Sequence, residues 1–412
     1  MPDKVVITGM GTINPIGLTI DETWQNAING VSGVGPITLF DAEEYLVSHA
    51  CEVKDFTPEK YMDARDARRR DRFQQFASAA SQEAIQQSGL EVSEEESGKV
   101  GVIVSSAIGG LQAVADNLRV LMDKGPRRIS PFAIPMLMSN GAAGLIAIDN
   151  GFRGPSFSVA SACASGADGV GMAWLLIRAG IIDVAISGAS EAIITEVALS
   201  AFDRMRALSR RDGEDRDTPQ PFDLNRDGLV MGEGAAILVL ERESRAIDRG
   251  ADILAELAGY GGTADAFHIT APSEDGIGGS KAIQAALEAA EANPEDIGYI
   301  SAHGTATKLN DLSETRAIKK VFGDLAYEIP ISSTKSMTGH MMGTTGALEA
   351  IFCVQAIREN ILPPTINYET PDPECDLDFI PNAAREKDIT MAVSNAFGFG
   401  GHNAVLVVKE YS

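Results

Sequence analysis

Cysteine is scarce in this sequence, which contains four cysteines in 412 residues. They are Cys51, Cys163, Cys353 and Cys375. Because no two of them form a CxxC pair, the spacing argues against a zinc site and against a disulfide framework. We therefore expect free thiols, no metal site and a reducing compartment, the cytoplasm.

Long apolar runs are missing as well. Arg178 and Asp183 interrupt the longest candidate, so no stretch offers the roughly 20 apolar residues that a membrane-spanning helix requires. The first residues show no signal-peptide pattern. The sequence therefore predicts no membrane insertion and agrees with a cytoplasmic location.

Positive charge is in short supply overall but is concentrated locally. The 34 lysines and arginines are outnumbered by 58 aspartates and glutamates, which gives a net charge of −24 and disfavours nucleic acid as a partner. Arginines nevertheless cluster within residues 65–72, 127–128 and 204–211. These clusters predict either a docking surface for an acidic partner or, because aspartates are interleaved with them, solvated helix faces.

The most informative stretch lies around Cys163. A β-prone run with Phe157 and Val159 precedes small residues, and an apolar helical pattern then continues to Gly180. This pattern predicts that Cys163 lies at a strand-to-helix turn, where the positive end of the helix dipole favours a reactive thiolate. The alternative interpretation is a buried cysteine that acts as a small apolar side chain.

The second part of the sequence repeats the pattern of the first part. Four pairs of segments match in the same order: residues 100–104 with 297–301, the Cys163 region with 329–359, 184–187 with 391–394, and 232–239 with 401–408. Four ordered matches indicate a duplicated α/β unit, with halves at residues 1–250 and 251–412. Strands that alternate with helices predict a mostly parallel sheet in each half.

Histidine is rare too, and three of the five histidines follow predicted strands of the second half. They are His303, His340 and His402. Loops after corresponding strands would converge where the halves meet, so Cys163 and these histidines predict a catalytic Cys/His/His constellation. Zinc binding is the competing interpretation, but the loops bring no second cysteine near Cys163 and contain no HExxH motif.

Several sequence motifs resemble those of one known family. They are SACASG at 161–166, SAHGTAT at 301–307, TKSMTGH at 334–340, SNAFGFGGHN at 394–403 and PFDLNRDGLVMGEGAAILVLER at 221–242. From Val5 to Val408 the chain is similar to the β-ketoacyl-[acyl-carrier-protein] synthases of the thiolase superfamily, and most to the elongating type II enzymes. The resemblance implies a thiolase-like fold of duplicated α/β halves in five layers, αβαβα.

The resemblance also implies an activity. The expected reaction is a decarboxylating Claisen condensation that lengthens a fatty acyl chain by two carbons. The expected partners are a second copy of the chain, in a homodimer, and an acyl carrier protein. No resident cofactor is implied, because the carrier protein brings the phosphopantetheine arm.

Family roles carry over to matching residues. Cys163 would take the acyl group as a thioester, while His303 and His340 would hold the malonyl carbonyl and assist loss of carbon dioxide. Two N–H donors of this kind stabilise an enolate oxygen, and one such donor is worth about 3 kcal/mol. Backbone N–H groups of Cys163 and Phe399 would form the oxyanion hole, and Phe399 would gate the site.

Further residues match the family's supporting positions. Lys335 and Glu349 match a polar pair that orders the histidines, and Ile108 and Phe202 match the acyl pocket. The residues that match the substrate tunnel are Asp265, His268, Thr270, Thr305 and Thr307. The residues that match the carrier docking surface are Arg65, Arg68, Arg69, Arg127, Arg128 and Arg206.

Other enzyme and non-enzyme interpretations share parts of this pattern. A type II polyketide ketosynthase carries the same motifs and stays open as an alternative. An initiating synthase normally has Cys-His-Asn, which His340 disfavours, and a non-catalytic carrier-binding partner lacks the nucleophile, which Cys163 disfavours. A degradative thiolase has a second cysteine near its C-terminal glycine loop, whereas no cysteine follows Cys375. His402 and Ser301 depart from the family's frequent threonine and asparagine and leave the preferred chain length open.

Overall fold

The computed structural model describes residues 3–211 and 218–412. In this part of the chain the strands are β1 (Val5–Ile13), β2 (Gly35–Pro36), β3 (His49–Ala50), β4 (Val100–Ser105), β5 (Ser156–Phe157), β6 (Val184–Glu191), β7 (Gly234–Arg242), β8 (Ala255–Ala264), β9 (Tyr299–Ser301), β10 (Ile331–Ser332), β11 (Ile361–Leu362), β12 (Arg385–Glu386), β13 (Met391–Gly398) and β14 (His402–Lys409).

The α-helices of the same residues alternate with these strands, and short 3₁₀ turns join several of them. The helices are α1 (Ile20–Ile28), α2 (Ala64–Ala67), α3 (Arg72–Ser88), α4 (Leu111–Lys124), α5 (Ala133–Leu137), α6 (Gly141–Asn150), α7 (Ser165–Arg178), α8 (Glu196–Arg204), α9 (Glu243–Asp248), α10 (Ile277–Ala289), α11 (Lys308–Phe322), α12 (Lys335–Thr338) and α13 (Thr345–Glu359).

Helix α3 shows how local sequence sets these boundaries. Asp71 caps its first turn in a capping box with Gln74, and the helix ends at Gly89 in the left-handed conformation. Between these signals its apolar face, which includes Phe73 and Phe76, is fully buried. The capping residues thus fix where the helix starts and stops, and burial of one face holds it against the sheet.

Ten strands form one hydrogen-bonded ladder in the order β10-β9-β13-β14-β8-β1-β7-β6-β4-β5. The two halves of this order are equivalent, because β4 is parallel to β5 and β6 just as β9 is parallel to β10 and β13. Strands β7 and β14 then run antiparallel to their neighbours on both sides. The predicted duplication is therefore confirmed, while the division at residue 250 stays a prediction.

Helices cover both faces of each half and meet between them. Helices α3 and α6 pack on the outer face of the first half, and α10 packs on that of the second half with α11 beside it. Helices α7 and α13 lie between the halves, where α7 contacts β4 and β6 and α13 contacts β13 and β7. The strands of each half are thus buried on both faces, which confirms the five-layered αβαβα arrangement.

The two central helices touch through equivalent glycines. A Cβ added to Gly166 would lie 2.5 Å from the Gly343 carbonyl oxygen, and one added to Gly346 would lie 3.0 Å from the Ala167 Cβ. The absence of side chains at these two positions lets the helix backbones approach closely. This contact brings the start of α7 beside the start of α13.

Burial corrects the residue matching of two predicted segment pairs. Val102 and Ile300 both face the outer cores of their halves, whereas Tyr299 faces the central core. The match of 100–104 with 297–301, which pairs Val102 with Tyr299, is therefore wrong by one residue. The match of 232–239 with 401–408 is wrong by the same amount, since Ile237 faces outward and Leu406 inward. A one-residue shift places side chains on the opposite face of a strand.

Candidate active site

Cys163 lies at the start of a central helix. It is the middle residue of a 3₁₀ turn, Ala162–Ala164, that follows β5 and leads directly into α7. The preceding residue, Ala162, has a positive φ of 52°, a conformation that a non-glycine residue adopts only when its surroundings hold it there. The predicted strand-to-helix turn is confirmed, and the Cys163 side chain is 8% exposed.

Burial of Cys163 opposes ionisation of its thiol. Burial raises the pKa of Cys163 to about 11, although the Phe399 N–H and the Lys335 ammonium lower it. Burial therefore acts against the thiolate that the helix start was expected to favour, and that expectation stays a prediction. The thiol proton must leave as the new bond forms.

Two histidines lie next to each other beyond the ends of β9 and α12. The ring centroids of His303 and His340 are 5.3 Å apart at an interplanar angle of 84°, and the residues are 3% and 2% exposed. Burial, followed by the charge of Lys335, holds the pKa of each histidine well below its usual value. Both rings are therefore neutral, and each carries one N–H donor.

A buried ion pair lies behind the histidines. The Lys335 Nζ atom is 2.5 Å from Glu349 Oε1, and neither side chain is more than 1% exposed. Burial raises the pKa of Glu349, and the neighbouring Lys335 ammonium opposes that rise and favours the charged carboxylate. The ammonium contributes positive charge that disfavours protonation of both histidines.

These groups meet at one cavity of about 350 Å³. The predicted site residues that line it are Cys163, Phe202, Arg206, Asp265, Thr270, His303, Thr305, Thr307, His340 and Phe399. Lys335 and Glu349 lie behind this lining. Ile108 is 39% exposed on the loop after β4, and its predicted place in an acyl pocket stays a prediction.

The loop after β13 packs directly against the nucleophile turn. A Cβ at Gly398 would lie 3.0 Å from the Cys163 backbone nitrogen. The next side chain, Phe399, packs near Phe202 with ring centroids 6.3 Å apart. Gly400 and Gly401 follow with positive φ angles of 84° and 72°, which ordinary residues adopt with strain. The gating role of Phe399 stays a prediction.

The loop after β8 forms another wall of the cavity. Asp265 accepts hydrogen bonds from Asn403 Nδ2 at 2.7 Å and from the Ser273 N–H at 3.0 Å. His268 is exposed, and its Nδ1 accepts the Thr270 N–H at 3.1 Å. His268 therefore holds Thr270 from outside the cavity, and a direct contact with substrate stays a prediction.

The predicted docking arginines lie on the first half. Arg65 and Arg68 are exposed, and the Arg69 guanidinium lies 4.7 Å from the centre of the Phe132 ring. The contact between Arg69 and Phe132 brings α2 near the turn that carries Arg127 and Arg128. Within residues 3–211 and 218–412, none of the six arginines forms an ion pair, whereas many other arginines do. Examples of paired arginines are Arg70, Arg72, Arg226, Arg242 and Arg385.

The structure adds two buried glutamates that the sequence did not reveal. Glu191 accepts hydrogen bonds from Ser106 Oγ and the Ala107 N–H, both at 2.8 Å, and from the Gly343 N–H at 3.2 Å. Glu314 accepts the His303 N–H at 2.8 Å. Burial raises the pKa of each carboxyl to about 7. In the sequence, Glu191 stands at the end of a buried strand, and Glu314 lies on the inward face of a helix.

The described residues offer neither a metal-binding cluster nor a membrane-spanning helix. The described residues contain no group of three or more His, Cys, Asp or Glu side chains that could hold a metal ion. None of the described helices has the length and apolar character needed to cross a bilayer. All four cysteines are buried, unpaired thiols.

Comparison with known proteins identifies the family. Residues 2–246 match the model "Beta-ketoacyl synthase, N-terminal domain", and residues 254–369 match the C-terminal domain of the same family. The chain belongs to the β-ketoacyl synthase family. This β-ketoacyl synthase is therefore a condensing acyltransferase with a thiolase-like fold.

Individual relatives cover essentially the whole β-ketoacyl synthase. The 3-oxoacyl-[acyl-carrier-protein] synthase 2 of Staphylococcus aureus (strain COL) is 49% identical over 409 residues, which are 99% of this chain and 98% of the relative. The protein of the same name from Synechocystis sp. is 48% identical over 408 residues, with coverage of 99% and 98%. A ketosynthase solved in complex with its type II polyketide acyl-carrier protein has a TM-score of 0.92, 35% identity and full coverage of both chains.

Proposed function

We propose that this β-ketoacyl synthase extends fatty acyl chains by two carbons, using malonyl groups carried by an acyl carrier protein. The observation that carries the proposal is the shared cavity of Cys163, His303 and His340. It brings a nucleophile and two neutral N–H donors to one space. These are the groups that acyl transfer and decarboxylation need.

The first step is acyl transfer to Cys163. The sulfur attacks the thioester carbonyl of the acyl carrier, the carbonyl carbon forms a new bond to sulfur, and the pantetheine thiol leaves with the proton. The N–H groups of Cys163 and Phe399 both act on the Cys163 sulfur, so they lie where a tetrahedral oxyanion next to that sulfur would accept hydrogen bonds.

The second step is loss of carbon dioxide from the malonyl group. The carbon–carbon bond breaks and leaves its electron pair on the enolate, whose oxygen would accept hydrogen bonds from His303 and His340. A neutral imidazole keeps one N–H donor, so the lowered pKa of each histidine is compatible with this role. The enolate carbon then attacks the Cys163 thioester, and the cysteine sulfur leaves and takes up a proton.

Lys335 and Glu349 act as positioning residues in this scheme. Their ion pair is buried behind the histidines, and the ammonium adds to the effect of burial in lowering the pKa of both rings. Thr345 Oγ1 lies 3.2 Å from His340 Nδ1 and fixes the orientation of that ring. The remaining ring nitrogen of His340 is then available to the substrate.

The acyl carrier protein would dock on the arginines of the first half. Arg65, Arg68 and Arg206 are exposed, and Arg206 also lines the cavity. Uncompensated arginines on a chain of net charge −24 give an acidic carrier a local attractive surface. The carrier would bring phosphopantetheine, so we propose no resident cofactor.

The assembly and the compartment are also proposed here. The edge strand β5 pairs only with β4 within the described chain, and the nearby helices α4, α5 and α6 expose Met122, Ile134 and Ile148. An open strand edge beside apolar side chains supports a homodimer. The four unpaired thiols support a reducing compartment, the cytoplasm.

A type II polyketide ketosynthase is the second candidate function. The fold similarity to the ketosynthase of that class, with a TM-score of 0.92, supports it. The 49% identity to a 3-oxoacyl-[acyl-carrier-protein] synthase 2, against 35% to the polyketide enzyme, favours fatty acid extension. The two functions differ in product, since the polyketide enzyme would repeat the condensation without intervening reduction.

Intact-protein mass spectrometry tests the proposal. The wild-type chain and Cys163→Ala are each mixed with a long-chain acyl carrier protein and then with malonyl carrier protein. We expect a mass gain of one acyl group on wild type alone, lost on malonyl addition as a 3-oxoacyl carrier forms. The Cys163→Ala variant should still release carbon dioxide from malonyl carrier. Acylation of that variant would contradict the nucleophile assignment, and poly-3-oxo products would favour the polyketide function.

A further inference from the structure

Asp168 connects the nucleophile turn to the second half of the molecule. Its Oδ2 atom accepts a hydrogen bond from Ser161 Oγ, two residues before Cys163. Its Oδ1 atom accepts one from the Tyr260 hydroxyl at 2.7 Å. One carboxylate on α7 therefore joins the turn that carries the nucleophile to strand β8.

Tyr260 is held in place by its packing against α7. A Cβ added to Gly171 of α7 would lie 2.3 Å from the Tyr260 ring, so the ring packs flush against this helix. Burial, followed by the charge of Asp168, raises the pKa of Tyr260, which keeps the phenol protonated as a donor. The carboxylate thus has a rigid partner on the side opposite Ser161.

The turn needs such support because it is strained. Ala162 has a φ of 52°, and a non-glycine residue in this region costs free energy that the surrounding contacts must offset. The Ser161 N–H donates to Ser165 Oγ at 2.9 Å, and that hydroxyl donates to the Ala162 carbonyl at 2.6 Å. Asp168 adds a side-chain hydrogen bond that reaches beyond the turn and its helix to strand β8.

The duplicated half provides an internal comparison. The turn Met342–Thr344 precedes α13 as Ala162–Ala164 precedes α7, and Met342 also has a positive φ, of 45°. Counting from the start of each helix, Leu348 occupies the position of Asp168. The carboxylate is present in the copy with a nucleophile and is replaced by a buried leucine in the copy without one.

We propose that Asp168 is a positioning residue that holds the Cys163 turn, through Ser161, in the conformation that acyl transfer requires. The inference rests on the proposed function, because it assigns the Cys163 N–H to the oxyanion hole. Loosening the turn would move that N–H, and misplacement by about an ångström can cost a hundredfold in rate. Decarboxylation would be spared, since His303 and His340 lie on other segments.

The test compares four variants in two reactions. Asp168→Ala removes both contacts, whereas Asp168→Asn can still accept from Ser161 and donate to Tyr260. Tyr260→Phe removes one contact, and Asp378→Ala, which breaks an ion pair with Arg385 in the second half, controls for general destabilisation. Rates of Cys163 acylation are measured by quenched intact mass against acyl carrier concentration, and carbon dioxide release from malonyl carrier is measured separately.

We expect Asp168→Ala to lower the maximal acylation rate about ten- to hundredfold with an unchanged half-saturating carrier concentration. Carbon dioxide release should stay within about twofold, and Asp168→Asn should recover most acylation, as a positioning role requires. Equal losses in both reactions, or equal acylation by Asp168→Ala and Asp378→Ala, would overturn the proposal.

Hydrogen exchange separates this proposal from the proposed function. Peptides covering residues 158–166 should exchange faster in Asp168→Ala than in wild type or Asp168→Asn, while the equivalent turn at 340–346 stays unchanged. If wild type itself fails to acylate, the proposed function is wrong, and the exchange data still decide whether Asp168 holds the turn. Identical exchange in all variants would refute the positioning role.

Discussion

The two halves place equivalent turns at the centre of the molecule but use them differently. Strands β6 and β13 each have eight residues and end at Glu191 and Gly398. At the turn 342–344, the Glu191 carboxylate accepts the Gly343 N–H and so occupies that donor. Gly398 has no side chain, so it brings no carboxylate to the N–H of Cys163, a residue that lines the cavity.

This comparison shows what makes one turn reactive. Both turns have a positive-φ residue and both lead into a buried helix, so backbone shape alone does not create a site. The difference lies in the last residue of the strand from the opposite half that packs against each turn. Glu191 of β6 occupies the Gly343 N–H, whereas Gly398 of β13 brings no side chain to the Cys163 N–H. An available donor in a dry cavity is what stabilises a developing oxyanion.

Placing a glutamate at residue 398, so that the Cys163 turn resembles the turn at 342–344, should have the largest effect on the rate of Cys163 acylation. In Gly398→Glu a carboxylate would compete for the Cys163 N–H, and even the Cβ would lie 2.8 Å from the Ser161 carbonyl oxygen. Loss of one oxyanion donor costs about a hundred- to a thousandfold in rate, and we expect Cys163 acylation to fall by at least the lower figure. Gly98→Glu, at an exposed glycine with open space around it, is the matched control, and equal acylation by both would refute the comparison.

The role of Glu191 at the turn 342–344 can be tested through the pH dependence of the free energy of unfolding. The pKa of Glu191 is about 7 in the folded chain, above the ordinary value of 4.5, so its protonated form stabilises the fold at low pH and this stability is lost as the pH rises through 7. Between pH 5 and pH 8 the free energy of unfolding of wild type should fall by about 2 kcal/mol relative to Glu191→Gln. Urea titrations at fixed protein concentration measure it, with the exposed Glu91→Gln as control. Parallel curves for wild type and Glu191→Gln would contradict the assignment.

The arginines of the proposed docking surface all lie in the first half. Reversing their charge has the smallest expected effect on turnover. Charge reversal at Arg65, Arg69 and Arg206 in the first half should lower carrier-dependent turnover about tenfold, because it removes attraction to an acidic partner. Turnover of a small thioester should stay within about twofold. Reversal of Arg153, Arg316 and Arg358 changes the net charge equally at other sites. Similar losses from both triple variants would show that net charge, and not this surface, controls docking.

The order of matching segments along the two halves could be predicted from sequence, but the register of their residues could not. Val100–Ser105 is buried at every position, so its sequence is a continuous apolar run without the alternation that would reveal which side chains face which layer. For this reason the predicted matches of β4 with β9 and of β7 with β14 are each wrong by one residue. Matches between whole segments survive such errors because they depend on order and spacing.

The site was predictable where short motifs carry it. Cys163, His303 and His340 each lie beside small or glycine residues at a strand or helix end, and these signals are local. The pKa of Cys163 was not predictable, because burial by Phe399 and other distant segments sets it. Glu191 was missed for the same reason, since its donors come from the loop after β4 and from the turn before α13.

The high pKa of the Cys163 thiol has a consequence for the chemical durability of the enzyme. Burial raises the pKa of this thiol to about 11, so the protonated form is favoured at neutral pH. Peroxides and simple alkylating agents react with thiolates, so the resting enzyme should resist them. A covalent inhibitor would gain speed only by placing its own carbonyl oxygen in the oxyanion hole, and selectivity would then follow from shape rather than from reactivity.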